Sequence, residues 1–293
     1  MASSREMRVR IKSVKDLSQV TRALKTVSAS KVRKAMASNA ASLPYSEKAW
    51  QVLIDLARQP GHTSLHPLLC ERKSVDRVLV IMVSSDKGLA GSYNMNVLKN
   101  TLMHFDTFDK PVDYICVGKK GRDLLLRRKI RVIADFSELN DTVNFMDISP
   151  ISRLVVDEFL GNRYDEVYIS YTRFETMTKQ EPEILKLLPL VVEEDLATQQ
   201  KSPAAKSVFI YEPAQEKILD EIVPRFTGIQ IFQAVLSSQA SEHAARTIAM
   251  ANATDNANEL VKILTLEYNK VRQQTITNDI LDIIGGAAVH GVS

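Results

Sequence analysis

The first 58 residues carry an apolar pattern whose spacing alternates between three and four positions. Ala, Ser, Lys and Arg dominate this stretch, which has no Gly and one Pro, Pro44. Such an alternation is a repeat of about 3.5 residues, typical of a helix in a left-handed coiled coil. Because many seam positions are small, we expect a partner helix to approach closely. The seam positions are Val14, Leu17, Thr21, Leu24, Ser28, Ala35, Ser38, Ser42, Tyr45, Ala49, Val52 and Leu56, with Lys31 as the exception.

A second long helix is predicted towards the end of the chain. Residues 229–284 contain neither Gly nor Pro, and at about 1.5 Å per residue they would form a rod of about 80 Å. Pro224 and Gly228 predict an interruption near its start. Gly285 and Gly286 predict its C-terminal cap. Two apolar stripes predict its packed face, namely Leu236, Ala240, Ala244, Ile248 and Ala251, then Leu260, Leu264, Tyr268 and Val271.

Between these helices the pattern changes to short apolar runs that alternate with amphipathic segments. Strands are predicted at residues 76–84, 112–117, 131–136, 166–174, 184–192 and 208–211, and helices at 94–105, 119–128 and 149–160. The polar residues 193–207 are predicted as a loop. This alternation favours a doubly wound α/β domain with a largely parallel sheet. We therefore expect an N-terminal coiled-coil helix (1–58), an α/β foot domain (59–212) and a C-terminal helix (213–293), with the two helices paired antiparallel.

Composition narrows the possible functions. A chain of 293 residues with 45% hydrophobic content can form a sizeable core. Cys70 and Cys116 are far apart in sequence, so neither a disulfide framework nor a zinc site is expected. The net charge is only +3, but the basic residues cluster near the N-terminus, opposed only by Glu6 and Asp16. An acidic partner surface is one interpretation of this cluster, and a solvated helix face is the other. The cluster consists of Arg5, Arg8, Arg10, Lys12, Lys15, Arg22, Lys25, Lys31, Arg33 and Lys34.

Two glycine clusters are the candidates for phosphate or anion binding. The stretch SDKGLAGSYN, residues 85–94, follows a predicted strand, but Gly88 and Gly91 do not make the GxGxxG spacing. A plain tight turn is the alternative. The stretch GKKGRD, residues 118–123, could bind an anion at a helix start or be a solvated loop. The five histidines are scattered, and His243 has no nucleophile beside it, so no catalytic, cofactor or metal site is expected.

Several longer motifs are spread along the chain. They are IKSVK (11–15), QVTRALKTVSASK (19–31), SDKGLAG (85–91), ASEHAAR (240–246), ATDNANEL (253–260) and YNKVRQ (268–273). Together they resemble the gamma subunit of rotary (F-type) ATP synthases over nearly the full length. The resemblance implies a Rossmann-like domain inserted between long terminal helices that form an antiparallel coiled coil.

The resemblance also implies a function without a catalytic site in this chain. The coiled coil would turn inside a head of alternating alpha and beta subunits, and the foot would sit on the membrane c-ring beside the epsilon subunit. Ion flow, of protons or sodium, would rotate the ring and the shaft, and rotation would drive ATP synthesis or hydrolysis in the beta subunits. The expected location is the cytoplasmic face of a bacterial plasma membrane, peripheral to it and not spanning it.

Site residues follow from the same motifs. The resemblance places Arg272, Gln273 and Thr277 against beta-subunit loops high in the head. It places Arg22, Leu24 and Lys25 near the lower loops, with ordinary coiled-coil surface or seam as the alternative for all six. Residues 85–91 form the foot turn, in which the expected positions are Asp86, Lys87, Gly88 and Gly91. The tail after Gly286 is expected in an apolar bearing.

Two other functional classes are considered. A nucleic-acid-binding scaffold built on a basic coiled coil would need aromatic or arginine clusters on the α/β domain, which the sequence lacks, so no nucleic acid partner is expected. A small Rossmann-type enzyme would need a phosphate-binding fingerprint, which is also lacking.

Overall fold

The structure, a computed structural model, describes residues 4–57, 67–72, 74–140, 143–190 and 215–290. Its helices are α1 (Ser4–Ala57), α2 (Tyr93–Phe105), α3 (Lys119–Arg127), α4 (Phe145–Leu160) and α5 (Gln215–His290), with a 3-10 helix at Pro67–Leu69. Its strands are β1 (Val78–Val83), β2 (Val112–Val117), β3 (Val132–Phe136), β4 (Glu166–Phe174) and β5 (Gln180–Leu188). The predicted loop at 193–207 and the predicted strand at 208–211 lie outside the described residues.

The five strands form one sheet in the order β3-β2-β1-β4-β5. Strand β1 pairs in parallel with β2 and β4, and β2 pairs in parallel with β3. Among the described strands only β5 is antiparallel, and it follows β4 through a short hairpin. All six residues of β1 are buried, which is why this strand is a continuous apolar run in the sequence. The structure thus confirms the expected α/β domain with a largely parallel sheet between long terminal helices.

Helices cover both faces of the sheet. The odd-numbered residues of β1 join a core with side chains of α4 and α5, including Phe159 and Phe226. The even-numbered residues join a core with side chains of α2 and α3, including Leu98 and Leu125. Each face of the central strand therefore buries apolar area against helices, which is the main stabilising contribution in such a layered domain.

The described residues divide into two compact units. One unit is Ala29–Ala245, which contains the sheet, α2 to α4 and the adjoining parts of the two long helices. The other contains the chain up to Ser28 together with the chain from Arg246 onward. Both long helices are thus shared between the units, and the predicted domain boundaries after residues 58 and 212 stay a prediction.

In the second unit, α1 and α5 pair side by side in opposite directions. The Arg8 guanidinium donates to the Tyr268 hydroxyl at 2.8 Å, near the start of α1. Further along α1, the Thr21 and Thr254 hydroxyls lie 2.7 Å apart. Residue numbers rise along α1 while those of the partners fall along α5, so the pair is antiparallel, as expected.

Among the predicted seam positions of α1 whose burial the structure describes, Val14 to Ala49, two are exposed. Leu17 and Tyr45 are 55% and 64% exposed. The neighbouring Ser18 is 8% exposed, and its hydroxyl donates to Asn258 Oδ1 at 2.8 Å. A small hydroxyl side chain fits where the backbones come close and it satisfies its own hydrogen bond, whereas Leu17 would hold the helices apart.

Two predicted breaks in α5 are wrong. The helix runs through Pro224 and Gly228, and it also continues through Gly285 and Gly286 to His290. A Cβ atom on Gly228 would lie 3.3 Å from the Phe145 ring, so this glycine permits close packing of α5 against α4 rather than ending a helix. Glycine costs a helix only about 1 kcal/mol relative to alanine, which is insufficient to terminate α5 at the pair near its end.

The starts of α4 and β5 were also predicted too late. Helix α4 begins at Phe145 instead of residue 149, because Asn144 and Asp147 form a reciprocal capping box ahead of it. Strand β5 begins at Gln180 instead of residue 184 and includes Pro182, which pairs with Thr172. Proline is compatible with a strand at the edge of a sheet, which is the position β5 takes among the described strands.

Candidate functional site

The foot turn, residues 85–91, leads from β1 towards α2. Its backbone is fixed by Asn94, whose Oδ1 accepts from the Ser85 backbone N–H at 3.0 Å. The Ser85 hydroxyl donates to the Lys87 carbonyl at 2.8 Å. Leu89 and Gly91 have φ values of 64° and 58°, in the left-handed region that glycine adopts without penalty. The turn is therefore held by local hydrogen bonds, with the Leu89 side chain exposed.

Asp86 ties the foot turn to the ends of β2 and β3. Its Oδ1 accepts from the Lys119 backbone N–H at 2.9 Å, at the first position of α3. Its Oδ2 accepts from the Glu138 backbone N–H at 3.0 Å. A carboxylate at a helix N-terminus satisfies an otherwise unpaired N–H and interacts favourably with the helix dipole. The start of α3, for which the sequence suggested anion binding, is thus occupied by the Asp86 carboxylate of the protein itself.

The second glycine cluster packs directly on the first. Gly118 has φ 104°, and a Cβ atom there would lie 2.4 Å from the Ser84 carbonyl oxygen. A Cβ on Gly121 would lie 2.5 Å from Ser84 Oγ, which accepts from the Gly121 N–H at 2.9 Å. These glycines let the start of α3 approach β1, so the two clusters form one packed junction. Residues 85–91 are a tight turn, and residues 118–123 are the packed start of α3 instead of a solvated loop.

An ion pair borders this junction on the solvent side. The Lys119 ammonium donates to a Glu138 carboxylate oxygen, and both side chains are exposed. This hydrogen bond raises the pKa of Lys119 and lowers the pKa of Glu138. Exposed pairs of this kind contribute little to stability, so the pair is a local detail of the junction.

The six residues predicted to contact beta-subunit loops lie at two separate levels along the helices. Arg22 and Lys25 are exposed, and Leu24 is half-buried beside the Thr21–Thr254 contact. Residues 272–277 are all exposed. At about 1.5 Å per residue, 18 residues of α5 separate Thr254 from Arg272, or about 27 Å. The structure therefore does not bring the two predicted groups together, and their roles stay a prediction.

The end of α5 carries an apolar face that the sequence interpretation did not identify. Helix α1 begins at Ser4, whereas Arg8 already meets Tyr268, so α5 continues beyond the start of its partner. Every described side chain from residue 272 to 284 is exposed, including five large apolar ones: Ile276, Ile280, Leu281, Ile283 and Ile284. Their helical spacing after the last stripe residue, Val271, was the signal that could have revealed this face.

In the part of the chain that the structure describes, the side chains that could act in catalysis or bind a metal are scattered. No group of three or more His, Cys, Asp or Glu side chains there could hold a metal ion. No helix among the described residues is long and apolar enough to cross a membrane. His243 is buried, and its neighbour Glu242 is half-buried.

Comparisons with known proteins agree over nearly the whole chain. A family model described as ATP synthase matches residues 3–289. The ATP synthase gamma chain of Dehalococcoides mccartyi is 41% identical over 289 residues, covering 98% of this chain and 99% of the relative. That of Roseiflexus sp. is 43% identical over 292 residues, covering 98% of each.

The fold is also shared with a solved structure. A chain in the cryo-EM structure of Euglena gracilis mitochondrial ATP synthase, OSCP/F1/c-ring, in rotational state 3, superposes with a TM-score of 0.66 at 20% identity. The superposition covers 98% of this chain and 94% of that one. The family match, the identities near 40% and the fold agree, and the chain belongs to the ATP synthase gamma chain family.

Proposed function

We propose that this chain is the central rotor shaft of an ATP synthase. Rotation of a membrane c-ring, driven by proton or sodium flow, would turn the shaft, and the turning shaft would drive beta subunits through their nucleotide-binding states. Membership of the gamma chain family supports this proposal, as does the Euglena relative, which was solved with F1 and c-ring. The chain would contribute no catalytic site of its own.

The observation that carries the proposal is the antiparallel helix pair with its long, exposed α5 end. Between Arg5 and Lys34, every basic side chain except Lys31 is exposed. A slender rod with a basic flank and an apolar end fits a cavity whose wall is acidic below and apolar above. We assign Arg22, Leu24 and Lys25 to the lower contacts, and Arg272, Gln273 and Thr277 to the upper ones.

Coupling through such a shaft is reciprocal. If one orientation of the shaft favours one nucleotide state in a beta subunit, that nucleotide state must favour the same orientation by the same free energy. ATP hydrolysis can therefore drive the rotation in reverse. The α/β domain would serve as the foot on the c-ring beside the epsilon subunit, at the cytoplasmic face of a bacterial plasma membrane.

The direct test is affinity purification of the tagged chain from membranes of its source, followed by mass spectrometry and an ATPase assay. We expect alpha, beta and epsilon subunits to copurify together with ATPase activity. A chain that purifies alone, or with nucleic acid, would overturn the proposal and favour the basic scaffold.

A further inference from the structure

Strand β4 continues beyond its pairing with its parallel neighbour β1. The pairing of the two strands ends with Met82 and Ser170, whereas β4 runs on to Phe174. On its other side β4 stays paired with β5 as far as Phe174. Because the backbone N–H and C=O groups of a strand point alternately to its two sides, the end of β4 has groups on the β1 side with which no described strand pairs.

Three serines of α5, Ser237, Ser238 and Ser241, bind these groups in place of a strand. The Thr172 N–H donates to Ser238 Oγ at 3.1 Å, and the Phe174 N–H donates to Ser237 Oγ at 2.9 Å. The Ser241 hydroxyl donates to the Thr172 carbonyl at 3.2 Å. The spacing of three and four positions puts the serines on one side of the helix, and all three are buried. We call them the serine cluster.

Helix α2 contacts the same cluster. The hydroxyl of Tyr93, the first residue of α2, lies 3.1 Å from Ser238 Oγ and 3.3 Å from the Ser238 carbonyl oxygen. Tyr93 is buried and follows closely after the foot turn, residues 85–91. Ser238 therefore connects α5 both to β4 and to the segment that leaves the foot turn.

The serine cluster differs in kind from the apolar packing beside it. Val235 and Leu236 of α5 belong to the core on one face of the sheet. Apolar burial is not directional, so it holds a helix on a sheet without fixing the rotation of the helix about its own axis. Hydrogen bonds weaken steeply when their angles change, so bonds from one side of α5 to a fixed strand resist both turning and sliding of the helix.

We propose that the serine cluster keeps α5 from turning relative to the α/β domain, so that torque on this domain enters the long helix at the end of β4. This inference rests on the proposed rotor function and names the residues that position the shaft in it. All the groups involved lie in the unit Ala29–Ala245, and α5 continues from there to His290.

The test measures how far the α/β domain turns when the head is held. The variant combines Ser237→Ala, Ser238→Ala and Ser241→Ala, and it is studied in the complex that copurifies with the tagged chain. With the head fixed to a surface and no nucleotide added, a bead reports the angular fluctuations of the domain. It is attached through Lys99→Cys, at an exposed position of α2, in a chain that carries Cys70→Ser. The angular variance should rise about twofold, since directional bonds are lost while apolar packing remains.

Thr227→Val is the matched control. It also removes a buried hydroxyl from α5, but this hydroxyl donates to the Val223 carbonyl within the helix itself. The control should therefore keep the angular variance of the unmodified chain. A purely structural role of the serines would lower the denaturation midpoint and leave the variance of assembled complexes unchanged.

The outcomes separate this inference from the proposed function. An unchanged variance in the triple variant would overturn the inference and leave the rotor function standing, whereas an unmodified chain that joins no complex would overturn both. If the triple variant does not assemble, Ser238→Ala alone is measured in the same way. It must increase the variance, because it removes the contacts of the Ser238 hydroxyl with Thr172 and Tyr93.

Discussion

A single carboxylate determines what the two glycine clusters can do. In a dinucleotide site, glycines leave room for a phosphate at the helix N-terminus. Here Asp86 occupies the N-terminus of α3, and Ser84 contacts Gly118 and Gly121. The sequence predicted the turn and its spacing, but not that the two clusters meet. That meeting depends on β1 and β2 being neighbours in the sheet, which a one-dimensional pattern does not specify.

Replacing this carboxylate should destabilise the α/β domain. Asp86→Ala leaves the Lys119 and Glu138 N–H groups without their acceptor, and we expect a loss of about 2 kcal/mol in the free energy of unfolding. Urea denaturation measures it. The matched control is Asp109→Ala at an exposed position, which should change stability by no more than about 0.5 kcal/mol. Equal effects of the two substitutions would contradict the role given to Asp86.

The two cysteines should differ in reactivity. Cys116 is fully buried in β2, and burial raises the pKa of its thiol to about 12, so almost no thiolate is present at neutral pH. Cys70 is only half-buried. A thiol reagent should therefore modify about one thiol per native chain and about two after denaturation, as counted by mass spectrometry. Modification of Cys116 in the native chain at a rate matching Cys70 would show this interpretation to be wrong.

Among the secondary-structure elements, buried apolar strands were the easiest to predict. Close contacts between a helix and residues distant in the sequence were the hardest. The strands β2 and β4 were predicted with the bounds the structure shows, because an apolar run of strand length has few alternatives. The path of α5 through Gly228 was missed, since it depends on the Phe145 ring packed against it. The shift of the seam from Leu17 to Ser18 was missed for a similar reason, because the partner side chain Asn258 lies 240 residues away.

The Thr21–Thr254 contact should show coupling between the two long helices. Thr21→Val alone should cost about 1 kcal/mol, because it leaves a buried hydroxyl without its neighbour, whereas Thr21→Val with Thr254→Val should be near neutral. A double-mutant cycle of urea unfolding measures the coupling. Thr26→Val, at an exposed position of α1, is the control. Additive single effects would mean that the two hydroxyls do not interact.

Removing the exposed end of α5 should weaken rotation and leave assembly intact. A chain truncated after Ile276 keeps the paired part of the helices and the whole α/β domain, so we expect it to copurify with the head. ATP-driven rotation should weaken, because most of the exposed apolar face is lost. Copurification and single-molecule rotation are the two measurements, with the full-length chain carrying the same tag as control. Complete failure to copurify would mean that the upper end is needed for assembly.

On the larger scale, the two long helices present exposed surfaces of different character. The exposed surface of α1 is basic from Arg5 to Lys34, whereas the exposed end of α5 is partly apolar, so the two helices offer different surfaces to partners. Overall organisation was predictable because two long helices and one α/β domain differ in hydrophobic period. The division into compact units was not, because the long helices are continuous through the unit boundaries.

Charge reversal on the basic flank should reduce coupling. Arg22→Glu with Lys25→Glu places acidic groups where an acidic partner surface is proposed, and we expect ATP-driven rotation to slow by about tenfold at low salt, with partial recovery at high salt. Lys99→Glu, on an exposed position of α2, is the matched control. Rotation rates that are equal for the two variants would remove Arg22 and Lys25 from the proposed contacts.

The antiparallel pairing also constrains how the chain is made. Arg8 contacts Tyr268, which lies 260 positions later in the chain, so α1 leaves the ribosome long before its partner exists. Contacts of such high sequence separation form late and slowly. During most of translation the seam of α1 is therefore not covered by α5. The strands of the α/β domain can already pair at that stage. A nascent chain of this kind is expected to depend on chaperones until its last quarter has been synthesised.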